Sequence, residues 1–326
     1  MFRTFCSQTA RLLAPTILIL TIETTPLVSE EFFAPDDPSD SVIGDITFTS
    51  ARRSDTLLDI ARAFDLGHDQ IIQANPGLNR WLPPPGADVL LPRRYILPPG
   101  PRKGIVINLA ELRLYFFPPN SNTVFTYPVS IGDLDWRTPL GTTVVVSKER
   151  DPAWFPPESI RAEHFEEGEE LPTMIPGGAP DNPLGQYALK LGIKGYLIHG
   201  TDERRSFGIG MRVSHGCIRM YPEDIEELFQ LVNVRAPVRI IDEPIVVGWR
   251  DNDLFLAVHR PLDDQEAPYP PSFQSLLEQL RGALTESDDF DPEEALRVFA
   301  IGNSIPIRVA TRVSDERREA LSPDGT

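Results

Sequence analysis

Thirty-three prolines are spread along this 326-residue chain. Each one fixes φ and removes a backbone donor, so few stretches can sustain a long helix or a central strand. Short elements joined by turns and loops are expected throughout. The 41% apolar content still supports packed cores, and a chain of this length suits two or three domains at roughly 100–200 residues each. A formal charge of −17 argues against nucleic acid and anionic membrane surfaces as partners, because both attract basic patches.

The first segment reads as an export signal. Arg3 and Arg11 precede an apolar run from Leu12 to Ile22, the pattern of a basic n-region and a short h-region. The run is shorter than the roughly 20 residues needed to span a bilayer. A Sec-type signal peptide is therefore expected over 1–25, with an acidic, proline-containing linker over 26–45. Removal of the signal takes Cys6 with it and leaves Cys217 as the single cysteine. A lone thiol in an oxidising compartment is either buried and inert or put to use. Its setting, Ser214-His215-Gly216-Cys217, favours use, because reactive thiols sit beside basic groups.

Residues 46–93 form a small module. Ile46-Thr47-Phe48-Thr49 has strand character, Asp55 is a candidate N-cap, and Leu57, Ile60, Ala61 and Phe64 fall on one helix face. A second short helix fits Asp69 to Ala74, stopped by Asn75-Pro76, and Val89-Leu90-Leu91-Pro92 closes as a strand. Ser54-Asp55-Thr56-Leu57, Ile60-Ala61, Phe64, Asn75-Pro76 and Val89 to Pro92 make this unit resemble a LysM domain. It departs from that pattern in having Ser54 where a glycine is usual, and in the connector Pro83-Pro84-Pro85. The resemblance implies binding to N-acetylglucosamine-containing glycan such as peptidoglycan, with Trp81 a candidate contact.

From Arg102 the texture turns to β. Gly104 to Leu109 and Leu112 to Phe117 read as a hairpin. Thr123 to Ile131, Thr142 to Ser147, Tyr187 to Leu191 and Tyr196 to Ile198 read as further strands. The stretch from Asp151 to Gly185 is too long and too rich in Pro and Gly for an ordinary loop, and a cover over a cleft is expected there. After Cys217, Pro222 suits a first helical position, with Ile225, Leu228, Phe229 and Val232 at helical spacing. Pro237 to Ile241 returns to strand. A domain over 102–242, a C-terminal accessory region over 243–310 and a mobile polar tail over 311–326 complete the division. The fold class is mostly β with α, an α+β chain.

Cysteine nucleophiles need a base, a group that orients the base, and oxyanion donors. Cys217 has two candidate bases, His215 beside it and His199 upstream, and local spacing alone leaves both open. His199, His215 and Cys217 have the number of ligands that a catalytic zinc requires. No Cys-x-x-Cys or His-Glu-x-x-His accompanies them, so no metal and no cofactor is expected.

His199 followed by Ser214-His215-Gly216-Cys217-Ile218-Arg219, with Arg137-Thr138-Pro139-Leu140-Gly141 upstream, resembles the L,D-transpeptidase catalytic domain of the YkuD type. With an export signal and a LysM-like module ahead, the chain looks like the periplasmic branch of that family. The resemblance implies that Cys217 is the nucleophile and His199 the general base, oriented by the carbonyl of Gly200. It gives His215 and Ser214 supporting places and makes the N–H groups of Gly216 and Cys217 the oxyanion donors. Arg219 stands where a residue supports the site or meets a substrate carboxylate, a structural salt bridge being its plain alternative. The implied reaction is transfer of a peptidoglycan tetrapeptide stem through a Cys217 thioester, to cross-link stems or to attach an outer-membrane lipoprotein. An L,D-carboxypeptidase or hydrolase using the same thiol, and an inactive peptidoglycan-binding protein, are the alternatives.

Overall fold

The computed structural model describes residues 31–37, 39–166, 168–260 and 272–313. The expected signal peptide and nearly all of the expected tail lie outside them. The fold is mostly β with helices, as the sequence predicts. Among the described residues, the central sheet has nine strands. Across it, Phe32–Phe33, Thr123–Pro128, Arg113–Phe117, Gly104–Asn108 and Pro237–Ile241 are followed by Gly141–Arg150, Tyr187–Leu191, Leu197–His199 and Ile218–Arg219. Two pairs run parallel, Gly104–Asn108 with Pro237–Ile241 and Leu197–His199 with Ile218–Arg219. The other neighbours are antiparallel.

The strands Gly104–Asn108 and Arg113–Phe117 are buried at every position. Both faces of the sheet are covered, which is why these segments read as unbroken apolar runs and not as alternation. On one face Ile105, Leu114, Tyr127, Leu189 and Ile218 pack with Ile225 and Leu228 of the helix Pro222–Leu231. On the other, Val106, Tyr115 and Val124 pack with Ile43, Tyr95 and Leu97.

The segment read as a linker is partly built into the fold. Phe32–Phe33 adds an edge strand to the central sheet, and Val42–Ile43 pairs with Tyr95–Ile96. Its acidic, proline-bearing composition hides two-residue strands whose partners lie far along the chain.

In the N-terminal module, Ile46–Ser50 pairs antiparallel with Asp88–Pro92 and encloses the helices Leu57–Ala63 and His68–Ala74. Thr56, not Asp55, caps the first helix. Its Oγ1 accepts from the Asp59 N–H at 3.0 Å, and the Asp59 carboxylate accepts the Thr56 N–H at 2.8 Å, a reciprocal capping box. Leu57, Ile60, Leu66, Ile71, Val89 and Leu91 form a separate core.

The described residues within 245–311 form a third unit, in the region expected to be accessory. Ile245–Arg250, Asp253–Val258, Ile307–Thr311 and Asp289–Phe290 make a four-stranded sheet. The helices Phe273–Ala283 and Pro292–Ile301 pack on it through Leu276, Leu280 and Val298. Thr311 still belongs to this sheet and donates to Asp253 Oδ1 at 2.7 Å, so the expected tail begins after it.

The N-terminal module sits on the segment that joins His199 to Cys217. The His68 N–H donates to the Ile209 carbonyl at 2.8 Å, and a Cβ on Gly210 would come within 2.4 Å of Gly67 Cα. Arg62 is bidentate to two carboxylates at once. It reaches Glu223 at 2.6 and 2.9 Å and Glu203 at 2.8 and 3.2 Å. Those bonds, to Glu223 first, raise the Arg62 pKa further above its ordinary value. Arg113, buried under the Tyr95 ring at 4.2 Å, donates to the Asp65 carbonyl at 2.8 Å. A bidentate guanidinium is the strong form of an ion pair, tempered here by partial exposure. Arg62→Ala is expected to lower unfolding stability by about 1–2 kcal/mol, measured as the urea midpoint. An unchanged midpoint would reject the clamp.

Candidate active site

The site rests on the parallel pairing of Leu197–His199 with Ile218–Arg219, which puts Ile198 opposite Ile218 and His199 opposite Arg219. The crossover between them carries a 3-10 turn, Ser206–Gly208, and the short strand Arg212–Ser214, which pairs with Ile131–Gly132. Cys217 follows in a tight turn before Ile218. Gly216 makes that turn at φ +97°, a conformation that side-chain-bearing residues resist. A Cβ there would also meet the Tyr196 ring at 2.9 Å and the Trp136 carbonyl at 3.2 Å.

Two hydroxyls fix the turn. Buried Ser214 accepts the Gly216 N–H on its Oγ at 3.1 Å and donates to the Cys217 carbonyl at 2.5 Å. Thr138, from the Thr-Pro-x-Gly segment, donates to the Gly216 carbonyl at 2.8 Å and accepts the Gly132 N–H at 3.0 Å. Ser130 and Arg219 exchange backbone hydrogen bonds at 2.9 and 3.0 Å. The sequence expectation that Gly216 and Cys217 both offer free N–H donors needs correction, since Ser214 takes the Gly216 N–H. Among the described residues, no acceptor is found for the Cys217 N–H.

His199 is buried, and its Nδ1 lies 2.6 Å from the Gly200 carbonyl. A carbonyl only accepts, so Nδ1 carries the proton and Nε2 is left as the basic nitrogen. Burial, and then the positive charge of Arg219, push the His199 pKa down to about 3. Burial also pushes the Cys217 thiol up, against smaller opposing effects of the Leu197 backbone and Arg219. The resting pair is a neutral thiol and a neutral imidazole. Neither charged form is favoured at rest, because desolvation penalises both.

His215 faces the cover. Its Nε2 lies 2.9 Å from Glu163 Oε2 and its ring lies against Trp136 at 5.5 Å. Glu163 belongs to the helix Glu158–Glu166, inside the stretch expected to form a cover. That stretch is also pinned by mutual backbone bonds between Trp154 and Ile175 at 2.9 and 2.8 Å. With Phe155, Ile160 and His164 it walls a cleft of about 570 Å³ that also takes in His199, His215, Cys217 and Arg219. No cluster of three His, Cys, Asp or Glu side chains able to hold a metal is found among the described residues.

Arg219 has no carboxylate partner among the described residues. Its Nη1 donates to the Val213 carbonyl at 3.4 Å, and its buried Nε has no partner there. The charges of Asp202 and Asp133 still favour its cationic form, without a salt-bridge contact among the described residues. One cleft residue and two neighbours of His215 escape motif reading. Arg205 enters from the crossover and pairs with Asp202, a relation hinted at only by their spacing of three. Glu163 and Trp136 carry no sequence signal that links them to His215.

The raised thiol and the neutral histidine set a pH signature. The thiolate fraction falls tenfold for each pH unit below the thiol pKa. His199 stays neutral throughout that range. Alkylation of Cys217 by iodoacetamide is expected to rise about tenfold per unit from pH 7 to 9. A rate that is flat from pH 6 upward would show a preformed thiolate and overturn this assignment.

Comparison with known proteins completes the picture. The L,D-transpeptidase catalytic domain family, YkuD, matches residues 102–240. Probable L,D-transpeptidase YcfS of Escherichia coli (strain K12) is 39% identical over 269 residues, 81% of this chain and 81% of its own length. Probable L,D-transpeptidase YbiS of the same strain is 44% identical over 253 residues, 76% of this chain and 81% of its own. Probable L,D-transpeptidase ErfK/SrfK of Salmonella typhimurium is 37% identical over 254 residues, 77% and 81% respectively. By that identity over most of its length, this chain belongs to the L,D-transpeptidase family, an enzyme family of acyltransferases.

Proposed function

We propose that this chain transfers the acyl part of a peptidoglycan tetrapeptide stem through a thioester on Cys217. The observation that carries the reading is the parallel strand pair, which sets neutral His199, with Nε2 unprotonated, and the Cys217 thiol in one cleft. The residues take the following roles. As Sγ attacks the carbonyl carbon, His199 Nε2 takes the thiol proton. The Cys217 N–H faces the developing oxyanion. The carbon–nitrogen bond then breaks, and the imidazolium returns its proton to the departing amine of the terminal D-alanine. A thioester remains. An acceptor amine attacks the thioester carbon and gives a proton to His199, the carbon–sulfur bond breaks as the new amide forms, and the imidazolium returns that proton to Sγ, restoring the thiol. The two neutral partners suit this cycle, because charge appears only as the bond forms. Gly200 holds the imidazole tautomer, while Ser214 and Thr138 hold the turn.

Residues 102–242 form the catalytic unit in this reading, and 243–310 an accessory one. The module over 46–93 would hold glycan, with Phe48, Trp81 and Leu82 exposed on it. The protein would be exported to the periplasm by its N-terminal signal. A second stem peptide gives a cross-link and a lipoprotein lysine gives an attachment. Water instead gives an L,D-carboxypeptidase.

The test uses purified protein, tetrapeptide muropeptide and an amine acceptor, read by mass spectrometry. D-alanine release with a new amide bond is expected. Cys217→Ala should abolish it, and His199→Ala should slow it by about 10²–10⁴. Release of D-alanine that persists in Cys217→Ala would reject the thioester. A product that is only tripeptide would select hydrolysis over transfer.

A further inference from the structure

We infer that Lys190 and Glu149 form a subsite for the side chain of the residue that supplies the acyl group, and that this subsite takes a side chain ending in both an ammonium and a carboxylate. This rests on the proposed acyl transfer and adds two specificity-determining residues to it.

The subsite follows from the register of the sheet, because successive residues of a strand point to opposite faces. In Gly141–Arg150, Lys148 donates to the Val232 carbonyl at 2.8 Å, at the end of the helix Pro222–Leu231. Arg150 lies over the Tyr187 ring, which packs on Phe229 of that helix. Glu149, between them, faces the cleft instead. In Tyr187–Leu191, Tyr187, Leu189 and Leu191 enter the core and Lys190 faces the cleft. Leu197 and His199 flank buried Ile198 in the same way. One face of the sheet is thus the floor of the cleft. Lys190 is paired with Leu197, and Leu197 stands one residue before the Ile198–Ile218 pair, as Cys217 does. Lys190, Leu197 and Cys217 make one row across neighbouring strands, and two strand spacings put Lys190 about 10 Å from the nucleophile. Glu149 is opposite Ala188, in the row that continues to His199 and Arg219.

Lys190 and Glu149 form an ion pair whose side chains are 44% and 40% exposed. Such a pair contributes little to stability. Among the described residues neither side chain has another hydrogen-bond partner, so Lys190 keeps ammonium donors and Glu149 keeps a carboxylate oxygen for a ligand. Among the described residues, Glu149 is also the one carboxylate on the cleft lining, which otherwise carries Lys190, two arginines and three histidines. A substrate ammonium in this cleft finds its counter-charge only there. The leaving amine turns to His199 in the neighbouring row. The row of Cys217 itself, across apolar Leu197, is left for the side chain beside the attacked carbonyl. A long methylene chain lies over Leu197 and Ala188 and brings its charged end to the pair, the ammonium to Glu149 and the carboxylate to Lys190.

The experiment compares three synthetic tetrapeptide stems that differ only at the end of the third side chain. One ends in ammonium and carboxylate, one in ammonium and carboxamide, and one is lysine, with ammonium alone. Wild-type protein is expected to release the terminal residue from the first with a kcat/KM about tenfold higher than from the other two, the scale of a charge-assisted hydrogen bond. Lys190→Met should bring that ratio toward one while leaving the lysine stem near its wild-type rate. Glu149→Gln should slow all three, since each carries the ammonium. Iodoacetamide labelling of Cys217 at fixed pH should be unchanged in both variants. A wild type that treats the three stems alike overturns the inference without any variant. So does a ratio that survives Lys190→Met, or a loss in Lys190→Met that is equal on all three stems, as a merely structural pair would give. Failure of the underlying acyl-transfer reading looks different, because wild type would then release the terminal residue from none of the stems.

Discussion

The parallel pairing of Leu197–His199 with Ile218–Arg219 is the constraint on which the rest depends. Two strands that run the same way cannot be joined by a tight turn and need a crossover of a dozen or more residues. The interval between histidine and cysteine in the motif is that crossover. It explains why His199 and Cys217 are far apart in sequence and yet stand at adjacent strands, His199 ending one and Cys217 preceding the other. It also explains why the intervening segment is shaped by outside contacts: the strand Arg212–Ser214 leans on Ile131–Gly132, and Arg62 and His68 of the N-terminal module hold Glu203 and Ile209. The crossover is thus a structural part of the site, and it delivers Arg205 to the cleft.

Desolvation decides the electrostatics that follow. His199 and Cys217 are both driven toward their neutral forms, while the cations around them are held by hydrogen bonds and by Asp202. A site of this kind maintains no charge at rest, and burial moves the proton affinities of the two partners in opposite directions. The cover helix adds a second role for a charge. Glu163 ties down His215, so the nearer histidine in sequence is engaged with the wall of the cleft.

Much of this was legible in the sequence where one segment carries its own explanation. The apolar spacing from Ile225 to Val232 and Pro222 at its start mark a helix because the buried face and the first-turn proline are local signals. The two module helices between Ile46 and Pro92 were readable for the same reason. Ser214-His215-Gly216-Cys217 was readable because one thiol in a Gly-containing turn is chemically unusual. What stayed hidden depends on partners distant in the chain. Phe32 and Val42 look like linker residues until Thr123–Pro128 and Tyr95–Ile96 supply their ladders. The Gly216 N–H looks free until Ser214 folds back on it. Arg205 looks like one more solvated arginine until the crossover is closed. The unit built on Leu254, Leu276 and Val298 was legible as an accessory region, and its packing into one core was not.

The neutral resting pair has a consequence for the lifetime of the protein. Oxidation of cysteine to sulfenic acid and beyond proceeds from the thiolate. A thiol whose pKa is raised by burial presents little of that form, and among the described residues no second cysteine is present to trap it as a disulfide. In oxidising surroundings the chemistry that makes Cys217 slow to ionise also protects it from irreversible damage.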